Sequence, residues 1–300
     1  DSVMAETELD IYRQNMKQKL EVNLKKCDFV SNRLIDEYLF GINHPYGKYS
    51  STIAYDALHP EQLRRFFDQY YVNGHCTIFV AGKLPHNIET LLNENFGSLP
   101  LNKAQLPHLT HPAEAATEKK YRIINDKEGI QGAIRIASHF PGIHHPHFTK
   151  AQVLNTLFGG YFGSRLMSNI REDKGYTYGI HSYMQNHVQQ SAWMISTEAG
   201  KEVCEATITE VYKEMQVLRE KTVSEEELLL VKNFLIGTIL GDLDGPFHII
   251  GRWKNIILNE LAEDYFYTSV AGIKNVTTKE IQELANQYLL PEKFYELVVV

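Results

Sequence analysis

The 300-residue sequence lacks several features that would announce a function directly. Its three cysteines, Cys27, Cys76 and Cys204, lie far apart and form no C-x-x-C pair. That argues against a disulfide framework and against a thiolate zinc cluster, and leaves each as a small apolar side chain. Basic charge is also in deficit, with 30 Lys and Arg against 37 Asp and Glu and a formal net charge of −7. That argues against nucleic acid as a partner, because phosphate binding needs a concentrated basic face. No run of about 18 uncharged apolar residues could span a bilayer as a helix. The acidic opening DSVMAETELD is unlike the basic start of a signal peptide.

What is present is material for a core, since 43% apolar residues suffice for two packed domains of ~100 to 200 residues each. The chain also repeats itself. LHPEQLRRFFDQYYVNGHCTIFVAG (58–82) aligns without a gap on VTTKEIQELANQYLLPEKFYELVVV (276–300). Gln69-Tyr70 falls on Gln287-Tyr288, an offset of 287 − 69 = 218 that also sets Phe29 on Phe247 and Asn15 on Asn233.

Each copy reads as a long amphipathic helix, a second helix, a capped helix and an apolar strand. In the first, Leu9, Tyr12, Met16 and Leu20 share one face at a 3.6-residue period, so that face is expected to be buried. Ser224 with Glu227 and Thr277 with Glu280 have the S/T-x-x-E spacing of a capping box, which satisfies unpaired first-turn N–H groups. Residues 99–120 have no apolar period and read as a linker. After it, YRIIND and GAIRIAS read as strands, PHFTKAQVLNTLFGG as a helix, and SYMQ to SAWMISTEA as a strand pair.

The expected fold class is α+β, with two homologous domains, each an antiparallel sheet with helices packed on one face. Residues 1–98 would be the C-terminal half of the first domain, 99–120 the linker and 121–300 the second domain. By analogy with the second copy, 225 − 119 + 1 = 107 residues would lie upstream of Asp1, making the chain a fragment or processed product.

The densest motif is LFGGYFGSRLMSNIREDKGYTYGI, from Leu157 to Ile180. Gly159, Gly160 and Gly163 permit a tight turn between two helical stretches, and no Lys follows them as a phosphate-cradling loop would require. Arg171 and Tyr178 stand seven residues apart across Gly175, so a helix end and a turn can bring both to one place.

A glycine-rich turn, Ser164-Arg165-Leu166, then Arg171-Glu172, Gly175 and Tyr178 resembles the C-terminal-domain signature of the pitrilysin, insulin-degrading and mitochondrial-processing-type zinc metallopeptidases. HPYG (44–47) and YYVNGHCTIFVAG (70–82) are similar to segments of that family's first domain. The resemblance implies a LuxS/processing-peptidase-like metallohydrolase fold whose two domains close on a peptide or small-protein substrate. It implies that Arg171 and Tyr178 are catalytic and that Gly159, Gly160, Ser164 and Arg165 bind substrate. A guanidinium can clamp carbonyl or carboxylate oxygens, and a phenol can donate to an oxygen that becomes negative. It further implies a homo- or heterodimer with a peptidase-like subunit.

Zinc in that family sits on an H-x-x-E-H helix completed by a distant Glu. No such run occurs here, and the helix would fall upstream of Asp1. Zinc is therefore expected in another domain or a partner chain. The position aligned with the distant ligand is Lys19, with Glu21 the nearest carboxylate and Glu6 and Glu8 further along the same helix. Lysine cannot serve, so a second reading is a non-catalytic scaffold or core subunit. His139, His144, His145 and His147 crowd one Pro-containing segment, but their spacing matches no familiar metal site. His44 and His75 are expected to pack or cap, and LGDLDGP (240–246) to form a helix-to-helix turn rather than a calcium loop.

Overall fold

A computed structural model describes residues 4–99, 109–188 and 190–300. Five helices come first: α1 (Glu6–Asn23), α2 (Cys27–Phe40), α3 (Thr52–Asp56), α4 (Pro60–Phe67) and α5 (Ile88–Phe96). Then follow β1 (Lys120–Ile123), β2 (Gln131–Phe140), α6 (Phe148–Asn155), β3 (Thr177–Asn186) and β4 (Ser191–Gly200). The chain continues with α7 (Cys204–Glu220), α8 (Glu225–Gly241), α9 (Pro246–Leu258), α10 (Tyr265–Asn275), α11 (Thr278–Tyr288) and β5 (Tyr295–Val299). The offset of 218 carries the starts of α1, α2 and α4 onto 224, 245 and 278, within one residue of where α8, α9 and α11 begin.

The described residues divide into two compact units. One holds α3, α4 and α5, with α1 and α9 less one terminal residue each; the other holds α2, α6, α7, α8, α10, α11 and all five strands. Segments from both sides of residues 99–120 thus contribute to each unit. The second helix of each copy is grouped with the other copy's remaining elements.

In the larger unit the strand order is β1-β5-β2-β4-β3. Alternation along the strands sorts side chains onto two faces. Ile134, Ile136, Trp193, Ile195 and Val298 join one core with α6, α7, α8 and α11. Ala137, Ala192, Met194, Tyr295, Leu297 and Val299 meet Ile35, Leu39 and Phe40 of α2 on the other. At about 1.5 to 3 kcal/mol for each large apolar side chain removed from water, those three α2 residues anchor the helix. Arg135 is also buried on this face, donating to Asn32 Oδ1 at 2.9 Å and pairing with Asp28.

The α+β class and the expected strands of the second copy are present, and two details differ. β1 and β5 run parallel, while the other pairings are antiparallel. The sheet carries helices on both faces, because α2 covers the side expected to be bare. The expected linker lies partly outside the described residues, but Glu114 N and Ala116 N donate to Phe40 O and Tyr38 O, so residues 114–116 run beside the end of α2.

The smaller unit is purely helical among the described residues. Residues 75–82, expected to be a strand, have no ladder, since no described strand of that unit is available to pair with them. On α1, Leu9 and Leu20 are buried, but Tyr12 is half exposed beside a shallow groove lined by Met4, Leu58 and Leu63. The expected apolar face is therefore only partly covered.

Candidate functional site

The glycine-rich motif begins where α6 widens into a π-helical turn, Thr156–Gly160. Such turns cluster at functional sites because they re-aim the backbone. Gly159 is needed for close approach: a Cβ there would meet Ser182 Cβ at 2.7 Å and Ser182 N at 2.9 Å on β3. The same junction is locked by a buried polar chain. Asn155 Nδ2 donates to Ser182 O at 3.1 Å, Ser182 Oγ donates to Asn155 Oδ1 at 2.7 Å, and Trp193 Nε1 donates to Ser182 Oγ at 2.8 Å. Each group is satisfied, which fixes α6 against the sheet.

A second π-helical stretch, Met167–Asp173, carries Arg171. It ends through Gly175, whose φ of 65° suits glycine, and the chain then enters β3. There the ladder slips. Thr177 pairs with Ala199 and Ile180 with Thr197, so Tyr178 and Gly179 oppose the single residue Glu198. This bulge is stitched by hydroxyls: Thr177 Oγ1 and Thr197 Oγ1 lie 2.8 Å apart, and Thr197 Oγ1 donates to Gly179 O at 2.9 Å. Bulges re-aim a side chain out of the pleat, and Tyr178 is left 92% exposed.

Arg171 and Tyr178 are brought together, with Arg171 Cζ over the Tyr178 ring at 5.5 Å. It also lies over Phe162 at 4.6 Å. Neither the Arg171 nor the Tyr178 side chain has a hydrogen-bond or ion-pair partner among the described residues.

The other residues of the motif are turned inward. Arg165 grips Glu227 with a two-pronged bond, Nε to Oε1 at 2.7 Å and a terminal nitrogen to Oε2 at 2.8 Å, which holds the guanidinium more firmly protonated than usual. Ser164 is buried, its backbone linking Tyr161 O at 3.1 Å and Ser168 N at 2.9 Å. Gly160 packs over Asn155 and Thr156. Glu227 does double duty: its N–H is capped by Ser224 Oγ at 3.1 Å, while its carboxylate goes to Arg165. The expected box at Ser224 is thereby only half formed, whereas that at Thr277 and Glu280 is complete.

His44, His145 and His147 are absorbed into packing, whereas His144 and His75, the latter expected to pack or cap, are exposed. His44 is buried, accepting from Tyr46 N at 3.1 Å and donating from Nε2 to His111 O at 3.1 Å. His145 accepts from His147 N at 3.1 Å, and His147 Nδ1 pairs with the Tyr288 hydroxyl at 2.9 Å. Among the described residues, no group of three or more His, Cys, Asp or Glu could hold a metal ion, and no helix is long and apolar enough to cross a membrane. Lys19, Glu21, Glu6 and Glu8 are all exposed on α1.

Sequence pattern alone does not reveal Phe162, the Asn155–Ser182–Trp193 chain or the bulge threonines. Asn155, an amide in the middle of the run QVLNTLF, is the one readable signal among them.

Fold and site together define a class: an α+β chain with an Arg–Tyr pair at the start of an edge strand, whose described residues include no metal-ligating cluster. Residues 57–235 match the family described as the peptidase M16 inactive domain, more than half of the sequence, and the chain belongs to that family. It is 23% identical over 275 residues to the uncharacterized zinc protease YmxG of Bacillus subtilis, covering 87% of this chain and 66% of that protein. It is 20% identical over 297 residues to YmfF of the same organism, described as a probable inactive metalloprotease, covering 94% and 66%. The fold matches the M16 inactive domain from Pseudomonas fluorescens with a TM-score of 0.83 at 20% identity, over 98% of this chain and 71% of that one. A chain of Complex III2 from Candida albicans matches at 0.73 and 15%, over 96% and 70%. This chain spans under two-thirds of the length of the curated relatives, 66% of YmxG and 57% of a Mycobacterium leprae zinc protease. The zinc that such names imply does not fit the donors among the described residues.

Proposed function

We propose that this chain is the substrate-holding part of a zinc-dependent metalloendopeptidase that hydrolyses peptides in a closed two-domain chamber. The observation that carries the reading is the pairing of Arg171, on its π-helical stretch, with the exposed Tyr178 on the bulge of β3, neither side chain making a hydrogen bond or ion pair among the described residues. Arg171 takes a peptide carbonyl or carboxylate oxygen, and Tyr178 donates to the oxygen that becomes negative as the peptide bond is attacked. Gly159, Gly160, Ser164 and Arg165 contribute to substrate binding by fixing the turn. Residues 1–98 form the C-terminal half of a first peptidase-like domain, 99–120 the linker and 121–300 the second domain. Zinc is held by the catalytic domain or by a partner subunit in a homo- or heterodimer.

In the complete or reconstituted peptidase, Tyr178→Phe is expected to lower kcat on the order of 10²-fold, as loss of one oxyanion donor does. Arg171→Ala lowers kcat/KM, and zinc content measured by atomic emission is unchanged in both. Wild-type turnover in both variants would make the pair structural.

A second reading, a non-catalytic scaffold or core subunit that binds a partner or peptides without hydrolysis, is favoured by Lys19 at the expected ligand position and by the likeness to YmfF. An intact H-x-x-E-H with a downstream Glu in the complete protein would sink it.

A further inference from the structure

Two arginines lie six residues apart in the same motif and are held in opposite ways. Arg165 is fixed by a carboxylate, which takes the two donors on one edge of its guanidinium. Arg171 is fixed by rings: Phe162 at 4.6 Å and Tyr178 at 5.5 Å from Cζ, with no acidic partner among the described residues. An aromatic face attracts a guanidinium through its quadrupole but accepts none of the N–H bonds aimed along the guanidinium plane. Rings therefore orient the cation and leave its donors free.

The turn explains why Phe162 is available. Tyr161 packs its ring against Phe234 with centroids 4.9 Å apart, so the next side chain points the other way. Phe162 is left 62% exposed. A phenylalanine so exposed contributes little to the core, and its described ring contact is Arg171.

We propose that Phe162 is a positioning residue for Arg171, holding the guanidinium beside Tyr178 with its donors directed at a carbonyl or carboxylate oxygen of a peptide. This rests on the reading of Arg171 as the substrate-holding residue. An arginine otherwise loses much rotamer freedom on binding, and a side chain already confined by two rings loses less.

The test is an NMR titration of this chain, following the Arg171 Nε–H resonance, with acetyl-hexaalanine as free acid and as C-terminal amide. In the wild type the free resonance is shifted by the rings, and it moves further on adding peptide. Phe162→Leu moves the free resonance toward the ordinary arginine position and weakens peptide binding roughly threefold to tenfold, the range of a cation–π contact. Phe162→Tyr stays within about twofold of wild type, and Phe162→Leu adds nothing in an Arg171→Ala background. Equal affinity for acid and amide assigns the contact to a carbonyl, and preference for the acid assigns it to a carboxylate; either supports the proposal.

Wild-type affinity in Phe162→Leu, with binding lost in Arg171→Ala, overturns the role of Phe162 and leaves that of Arg171 standing. Weakened binding with an unmoved free resonance also overturns it, since Phe162 would then touch the peptide itself. No peptide-induced shift at Arg171 in the wild type overturns both readings.

Discussion

Helices α2 and α9 occupy the same place in the two copies of the repeat, yet they meet opposite surroundings. In α2, Leu39 and Phe40 are 0% exposed against the sheet. In α9 the residues at the same offset, Ile257 and Leu258, are half exposed, and Phe247 is 71% exposed. The two helices are comparably apolar, so the difference is not in their composition. It lies in what faces them: α2 has a sheet face to cover, and the unit that holds α9 contains no strand among its described residues. A helix's apolar stripe records where a partner belongs, while burial depends on the partner being there.

The sharpest way to break this comparison is to truncate equivalent residues. Leu39→Ala is expected to destabilise the larger unit by about 2 to 5 kcal/mol, the cost of a cavity in a closed core. Ile257→Ala should cost under about 1 kcal/mol, because little burial is lost. Urea unfolding monitored by circular dichroism measures both, and similar losses would show that α9 is buried in solution. Hydrogen exchange tests the same contrast without mutation. Amides of α2 should exchange only on unfolding of the larger unit, and those of α9 orders of magnitude faster through local opening. Comparable protection would erase the distinction.

The smallest effect concerns the caps of α4 and α11, again at equivalent positions. At α4, His59 N donates to Gln62 Oε1 at 3.1 Å, which does not titrate. At α11, Thr277 N donates to Glu280 Oε2 at 2.8 Å, and the Lys150 ammonium, aided by Thr277 N–H, lowers the Glu280 carboxyl to about 2. A depressed carboxyl stabilises the fold above its unfolded value, near 4.5, and loses that contribution as pH falls toward 2. Glu280→Gln should therefore lower stability at pH 7 by about 1 kcal/mol or less, given the half-exposed pair, and by progressively less between pH 4.5 and 2. Gln62→Ala should show no such pH dependence. A pH-independent gap between wild type and Glu280→Gln would refute the assignment.

Local rules made much of this legible. Helix period, capping spacing and strand alternation marked the second copy's elements, and the spacing of Arg171, Gly175 and Tyr178 pointed to a shared location. What could not be read depends on distant pairings. Nothing near Ile35 or Leu39 says that their partners are Leu297 and Val299, and nothing in Lys120–Ile123 says that it runs parallel to Tyr295–Val299. The bulge at Tyr178 depends on which β4 residues stand opposite. The bond from Arg165 to Glu227 is hidden for the same reason, since Glu227 lies on another helix.

The position of β5 in the sheet sets an order in time. It lies between β1 and β2, yet it is made some 170 residues after β1, so during synthesis β1 has no neighbour and one edge of β2 is open. The hairpin of β3 and β4 can form early on β2, whereas closing the sheet waits for Tyr295–Val299 to emerge. Long-range pairing of this kind is slow, and it leaves an unpaired edge exposed in the meantime. The nascent chain is thus at its most aggregation-prone in the interval before Tyr295–Val299 emerges.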